Sequence, residues 1–230
     1  AEEVTLVALD SRSGAILAWV GDPLAERQPG SVVKPFVALE AFERCDLTPA
    51  SRISDAAIDL DGWKPANADG RAHGDVLVGE ALVHSWNRPF VRMAEHCGPD
   101  RIADRFERAG LQTADVRSLP LGTVETSALS VASAYTALDD GLRWEPFAIA
   151  SADTPSGRGL RAERPRRHRV VKAPDAWVVR ELLGEVVERG TGRSAHHTGL
   201  DIAGKTGTTA ADAWFAGTAG SVVVVARVGH

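Results

Sequence analysis

The strand-forming segments of this 230-residue chain lie at its two ends, and this placement limits the possible folds more than any other feature. Near the N-terminus, VTLVALD and GAILAWVG are apolar and β-rich, and the short turn SRSG between them predicts an antiparallel hairpin. Near the C-terminus, GLDIAGKTGTT, DAWFAGTA and SVVVVARVG predict three further strands joined by short turns. The two ends of the chain are therefore expected to meet in one sheet.

In the middle of the chain, apolar residues recur at the three- and four-residue spacing that is typical of helices. A helix predicted from Ser31 to Arg44 is apolar on most sides, which indicates that it is buried. Further helices are predicted over residues 80–85, 88–96, 100–109, 126–138 and 175–189, and residues 60–79 are rich in turn formers. We predict an α+β fold in a single domain over residues 1–230. Its antiparallel sheet of about five strands is built from residues 1–25 and 200–230 and packs against a mostly helical middle over residues 31–190.

The predicted strands are apolar at both alternating positions, as in VTLVAL, AILAWV and SVVVVARV. A strand of this kind has two faces to bury, whereas the central helices cover only one face of the sheet. The other face is expected to need a helix from outside this sequence or a protein partner.

Composition excludes several classes of function. The formal net charge of −5 argues against a nucleic-acid-binding surface, and the one basic run, Arg161 to Arg169, is predicted to be a solvated loop. The longest apolar run, which begins at Ser221, is far shorter than the roughly 20 residues that span a bilayer, and we expect no signal peptide. The seven His residues are scattered, so neither a metal site nor a cofactor is predicted.

The two cysteines, Cys45 and Cys97, form neither a metal-binding pattern nor a disulfide framework. We interpret them first as buried thiols. A disulfide between them is the less favoured alternative, and it would require an oxidising compartment.

The segment RQPGSVVKPF carries the first candidate for chemistry. Ser31 follows Pro29 and Gly30 at the first turn of the predicted helix, where backbone N–H groups lack intrahelical partners. Lys34 lies three residues further on, on the same face. A serine hydroxyl needs a base to become a nucleophile, and a lysine serves as that base only when burial or a second cation lowers its pKa.

The triplet Lys-Thr-Gly in GKTGTT offers that second cation. Lys205 lies on a predicted strand that would border a cleft, where Thr206 and Thr208 are placed to donate hydroxyl groups to a carboxylate. Gly207 would let a substrate backbone approach the strand closely. The N–H groups of Ser31 and Thr208 are candidates for an oxyanion hole.

Between these two segments, HSWN contains Ser85, Trp86 and Asn87. Ser85 taken alone is also consistent with a cap for the helix that follows. The order Ser-x-x-Lys, Ser-x-Asn, Lys-Thr-Gly, however, is the set found in class A β-lactamases and penicillin-binding proteins.

The chain resembles the transpeptidase domain of class A penicillin-binding proteins over nearly its whole length. Similar segments include LDSRSGAILAWVG, WKPANADGRAHGDVLVGEALVHSWN, LPLGTVETSALSVASAYTALDDG and AGKTGTTAADAWFAG.

This resemblance implies a penicillin-binding D,D-transpeptidase that acts on the D-Ala-D-Ala end of peptidoglycan stem peptides and is acylated by β-lactams. Ser31 would be the nucleophile and Lys34 its base. Ser85 would relay a proton to the leaving group, and Asn87 would bind the substrate amide and Lys34. An extracytoplasmic location follows from that substrate.

The resemblance also implies that Lys205, Thr206 and Thr208 hold the substrate carboxylate. Trp86 occupies the middle of its motif, where smaller residues are usual, so it either narrows the site or packs beneath it. The interval from Asn87 to Lys205 is short for the family, which predicts trimmed loops around the cleft.

Further departures concern segments that the family carries and this sequence lacks. These are a glycosyltransferase domain, a membrane anchor and a C-terminal helix on the outer face of the sheet. We therefore expect no polymerase activity, and contact with the membrane only through segments outside this sequence.

Three alternatives stay open. A D,D-carboxypeptidase would transfer the acyl group to water instead of an amine. A β-lactamase would need an additional general base for deacylation, and Glu125 is the nearest carboxylate, in a context that matches penicillin-binding proteins better. A non-catalytic sensor or scaffold module would keep the same motifs, because a fold does not determine a function.

Overall fold

The structure is a computed structural model that describes residues 3–155, 159–161 and 165–229. Strands from the two ends of the chain form a five-stranded antiparallel sheet in the order β11-β12-β13-β1-β2. Its strands are β1 (Glu3–Asp10), β2 (Ile16–Val20), β11 (Ile202–Thr208), β12 (Asp212–Ala219) and β13 (Val222–Gly229). The first and last of the long strands pair directly, with Glu3 opposite Gly229 and Asp10 opposite Val222. The predicted α+β class and the predicted sheet are confirmed.

Short two-stranded pairs, which sequence periodicity did not predict, tie the loops of the middle region together. They are β3 (Glu26–Arg27) with β6 (Thr126–Ser127), β4 (Arg52–Ser54) with β5 (Asp75–Leu77), β7 (Leu142–Trp144) with β10 (Arg167–Arg169), and β8 (Ser151–Asp153) with β9 (Gly159–Arg161). Part of the basic run predicted as a solvated loop is therefore strand β10, which is exposed, while residues 162–164 of that run lie outside the described residues.

The helices lie close to their predicted positions. They are α1 (Lys34–Arg44), α2 (Val78–Val83), α3 (Asn87–Cys97), α4 (Pro99–Arg108), α5 (Ala128–Tyr135), α6 (Ala137–Asp140) and α7 (Ala173–Glu188). The single helix predicted over residues 126–138 is interrupted at Thr136, whose hydroxyl donates to the Ser133 carbonyl and accepts from the Trp144 N–H. Among the described helices, none combines the length and apolar composition needed to cross a bilayer.

The helix that follows the nucleophile motif is buried, as predicted, but it begins later. Gly30–Val33 forms a 3-10 turn before α1, and the Lys34 N–H donates to the Ser31 carbonyl. Pro35 has no N–H to make the α-helical bond to that carbonyl, which explains the tighter first turn. Phe36 and Leu39 of α1 are fully buried.

The two faces of the sheet differ sharply in exposure. Val7 and Val225 are fully buried on the face that packs against the helices. On the opposite face, Val4, Val20 and Val228 are 51%, 57% and 44% exposed. The described part of the chain thus leaves apolar side chains of that face in solvent, and a protein partner for it stays a prediction.

The preference for buried thiols is wrong, because Cys45 and Cys97 are joined by a disulfide. Cys45 follows the last residue of α1 and Cys97 ends α3, and these two helices pack side by side. The Cα atoms of the pair are 5.4 Å apart, within the range that a disulfide spans. Helix packing brings the two thiols together, which sequence spacing does not reveal.

Candidate active site

A cleft of about 510 Å³ lies where the start of α1, the turn between α2 and α3, and the edge strand β11 meet. Six of the nine predicted site residues line it: Ser31, Ser85, Trp86, Asn87, Thr206 and Thr208. Lys34 and Lys205 are fully buried behind the lining, and both contact Ser85. Tertiary folding therefore assembles the three motifs around one cavity.

Ser31 is half-buried in the 3-10 turn that precedes α1. The preceding Gly30 has a φ of 56°, and a Cβ atom added there would lie 3.2 Å from the backbone N of Thr208. This close approach of two backbones requires a residue without a side chain. It sets the start of the nucleophile turn against the end of β11, where the predicted oxyanion donors lie.

The Lys34 ammonium group is surrounded by the Ser-x-Asn turn. Its Nζ donates to the carbonyl O of Ser85 at 2.6 Å, to the carbonyl O of Trp86 at 3.2 Å and to Asn87 Oδ1 at 2.7 Å. The Ser85 hydroxyl lies 3.4 Å from the same nitrogen. Lys34 and the Ser-x-Asn motif are therefore held in one fixed arrangement.

Burial changes the acid–base character of both lysines. It lowers the pKa of Lys34 well below its usual value, and the nearby Lys205 cation lowers that pKa further. Burial also lowers the pKa of Lys205, to about 7. A lysine with a lowered pKa is available as a neutral amine near neutral pH, which is the form that accepts a proton.

Ser85 lies between the two lysines. Lys205 Nζ donates to Ser85 Oγ at 2.8 Å, and Lys34 Nζ lies 3.4 Å from the same oxygen. Ser85 has a left-handed backbone, with a φ of 59°, and such a conformation costs a non-glycine residue about 1–3 kcal/mol. The surrounding contacts hold the hydroxyl at the point where it reaches both amines.

Ser85 is not the cap of the helix that follows. The backbone N–H groups of Asn87 and Arg88 donate to Asn67 Oδ1, at 2.7 Å and 3.3 Å. The side chain of Asn87 donates in turn to the carbonyl O of Ala66 at 2.6 Å. A residue about 20 positions earlier thus caps α3, which leaves the Ser85 hydroxyl free for the lysines.

The residues of the Lys-Thr-Gly motif and the threonine that follows it differ in exposure and in hydrogen-bond partners. The Thr206 hydroxyl donates to Thr191 Oγ1 at 2.8 Å, and Thr208 is exposed at the end of β11. Gly207 is buried and does not line the cleft, and a Cβ atom there would lie 2.3 Å from the carbonyl O of Pro29. The glycine thus allows the nucleophile turn to pack on β11, and its predicted role toward the substrate backbone stays a prediction.

Sequence reasoning missed several residues that also line the cleft: Ala68, Asp69, His84, Leu121 and Thr191. All of them except Thr191 lie in the segments named above as similar to the family, but they carry no motif of their own. Asp69 is the one carboxylate among the described residues that line the cleft, and the predicted alternative Glu125 is exposed outside it. A backbone N–H of Arg71 and the neighbouring His73 lower the pKa of Asp69, which makes it a weak base.

Comparison with known proteins agrees with this geometry. Residues 4–226 match the family described as the penicillin-binding protein transpeptidase domain. This chain belongs to that family. The transpeptidase domain is 33% identical to penicillin-binding protein 1A of Neisseria cinerea, over 99% of this chain and 32% of that protein. It is 32% identical to the protein of the same name from Aquifex aeolicus, over 99% of this chain and 34% of that protein. The domain thus spans about a third of the length of these relatives.

Solved structures share the fold of the transpeptidase domain. Penicillin-binding protein 1A from Haemophilus influenzae has a TM-score of 0.90 and 25% identity, over 100% of this chain and 43% of that one. Penicillin-binding protein 3 from Mycobacterium tuberculosis, complexed with ampicillin, has a TM-score of 0.88 and 25% identity, over 99% of this chain and 66% of that one. The fold is therefore shared with solved penicillin-binding proteins.

Proposed function

We propose that this domain is a D,D-transpeptidase that acts on the D-Ala-D-Ala end of peptidoglycan stem peptides through an acyl-enzyme on Ser31. The observation that supports this most directly is the pair of buried lysines around Ser85, with Lys34 one turn after Ser31. Family membership and the ampicillin complex of a structural relative support the same substrate chemistry.

In the first step, neutral Lys34 accepts the proton of the Ser31 hydroxyl while Oγ attacks the carbonyl carbon of the penultimate D-Ala. The negative charge that develops on the carbonyl oxygen is stabilised by backbone N–H groups of Ser31 and Thr208. As the peptide bond breaks, Ser85 passes its proton to the amine nitrogen of the terminal D-Ala and takes up the proton that Lys34 accepted from Ser31. Lys205 stabilises the substrate carboxylate, together with the hydroxyls of Thr206 and Thr208.

In the second step, an amine or water attacks the ester carbonyl of the Ser31 acyl-enzyme and releases the serine. An amine acceptor gives a cross-linked peptide, and water gives a trimmed one. Because the substrate is in the cell wall, we place the domain outside the cytoplasm. The Cys45–Cys97 disulfide supports that compartment, since disulfides persist where the environment is oxidising.

The test is intact-mass spectrometry after incubation with benzylpenicillin, followed over hours, for the wild-type chain and for Ser31→Ala. The wild type is expected to gain one persistent adduct and the variant none. Absence of an adduct on a demonstrably folded wild type would exclude the acyl-enzyme mechanism.

The same experiment separates the alternatives. A transient adduct with rapid loss of antibiotic would indicate a β-lactamase, although Asp69, the carboxylate at the cleft, is poorly suited to act as its base. A persistent adduct without turnover of a D-Ala-D-Ala peptide would indicate a sensor module. Release of D-Ala from that peptide, lost in Ser31→Ala, supports the enzyme.

A further inference from the structure

His73 is a histidine near the cleft that no motif predicts. Its Nδ1 is 2.7 Å from Asp55 Oδ2, and its Nε2 is 3.0 Å from Asp69 Oδ2. Both nitrogens of the ring therefore face a carboxylate oxygen. The imidazole is thereby held at both ends, and its side chain is 24% exposed.

Asp55 anchors this arrangement from the interior. Its side chain is fully buried, and its carboxylate accepts from Asn67 Nδ2 at 2.9 Å and 2.7 Å and from the backbone N–H of His73 at 2.9 Å. A buried carboxylate is stable only when its oxygens are satisfied in this way. Asp55 thus fixes two side chains, Asn67 and His73, at once.

Both of these side chains reach the Ser-x-Asn turn. Asn67 Oδ1 accepts the N–H of Asn87 at 2.7 Å. The His73 ring stacks on the Trp86 indole, with 4.2 Å between ring centres and 18° between ring planes. The turn that presents Ser85 is therefore held at its backbone by Asn67 and at its middle side chain by His73.

We infer that His73 is a positioning residue for the proposed acylation: it fixes Trp86 and thereby the left-handed turn that places Ser85 Oγ between Lys34 and Lys205. Ser85 needs surrounding contacts to keep its uncommon backbone conformation. The imidazole stacked on Trp86 is such a contact. Trp86, the large residue in the middle of the Ser-x-Asn motif, thereby has a role, because its indole ring is the surface on which His73 stacks.

His73→Gln tests the inference because glutamine keeps an N–H donor but removes the ring. We expect the first-order acylation constant with benzylpenicillin to fall about tenfold, since small displacements of catalytic groups have effects of that order or larger. Amide hydrogen exchange in residues 86–88 is expected to become faster. The control is His168→Gln, because His168 also contacts a carboxylate, Glu145 at 2.7 Å, but lies on the exposed strand β10. It is expected to leave both readouts unchanged.

His73→Phe separates positioning from stability. It keeps a ring on Trp86 but removes the side-chain contact of residue 73 with Asp55, so it is expected to be less stable than His73→Gln in urea yet to acylate faster. The reverse order of acylation rates would overturn the inference. In a Trp86→Leu background, His73→Gln is expected to change acylation less than about twofold, because the two residues act through one contact. If His73→Gln slows acylation as much in the Trp86→Leu background as in the wild type, the positioning role is also overturned.

The inference relies on the proposed function only for its kinetic readout. If the wild type is not acylated, the proposed function fails. Hydrogen exchange in residues 86–88 then becomes the one test of the positioning role of His73. Faster exchange in His73→Gln than in His168→Gln would then support the positioning role, and equal exchange would overturn it.

Discussion

At the scale of single residues, the hydroxyl of Ser85 is the point where two buried amines converge, 3.4 Å from Lys34 Nζ and 2.8 Å from Lys205 Nζ. Burial disfavours the charged form of both amines, and for Lys34 the nearby Lys205 adds to this effect. Both pKa values are lowered, and that of Lys205 is about 7. Lys205 therefore titrates within the range of ordinary buffers.

This predicts a bell-shaped dependence of the acylation rate on pH. The rate rises as the pair loses its first proton, because Lys34 must be neutral to act as base. It falls as the second proton leaves near pH 7, because Lys205 then no longer attracts the substrate carboxylate. Stopped-flow acylation by a fluorescent penicillin across this range measures the profile.

Lys205→Arg is the matched control for that profile, since arginine keeps its charge at every accessible pH. The variant is expected to be slower but to lose the falling limb above neutral pH. A falling limb that persists in the variant would show that another group, not Lys205, sets it.

At the scale of elements, α1 and α3 carry the site at their starts and are joined at their ends. The start of α1 presents Lys34 and the start of α3 presents Asn87, while the Cys45–Cys97 disulfide links the other ends. The cross-link thus opposes separation of the two elements whose alignment the site requires.

The double variant Cys45→Ala and Cys97→Ala is expected to lower the free energy of unfolding by about 4 kcal/mol, because the disulfide closes a loop of 52 residues. Urea unfolding measures the loss. Reductant should destabilise the wild type similarly and leave the variant unchanged. A wild type that carries two free thiols and is indifferent to reductant would restore the interpretation of buried thiols.

At the scale of the whole molecule, the sheet has one buried and one open apolar face. Val225 and Val228 lie on the same strand, β13, but point to opposite faces and are 0% and 44% exposed. Alternation along one strand therefore offers a direct comparison of the two faces.

Val225→Thr is expected to lower the free energy of unfolding by about 1–3 kcal/mol, because it buries a hydroxyl without an assured partner. Val228→Thr should change it by less than about 0.5 kcal/mol, because its side chain is already in contact with solvent. Equal losses, measured by urea unfolding at several protein concentrations, would indicate that the open face is covered by self-association in solution.

Much of the fold and of the site could be predicted because it depends on local pattern. Apolar, β-rich runs bounded by short turns identified the strands of the main sheet. Three short motifs identified Ser31, Ser85 and Lys205. The interruption at Thr136 and the capping of α3 by Asn67 escaped prediction, because each depends on a partner in another element.

The amino-acid sequence by itself determined the order of the main strands and helices, the buried character of α1 and the identity of the groups proposed to react. Only the tertiary structure decided how these groups interact. It placed Ser85 beside Lys205, 120 positions away, paired Cys45 with Cys97, and brought His73 onto Trp86. The physical reason is that periodicity reports which side of an element is apolar, whereas contacts between distant residues depend on how whole elements pack.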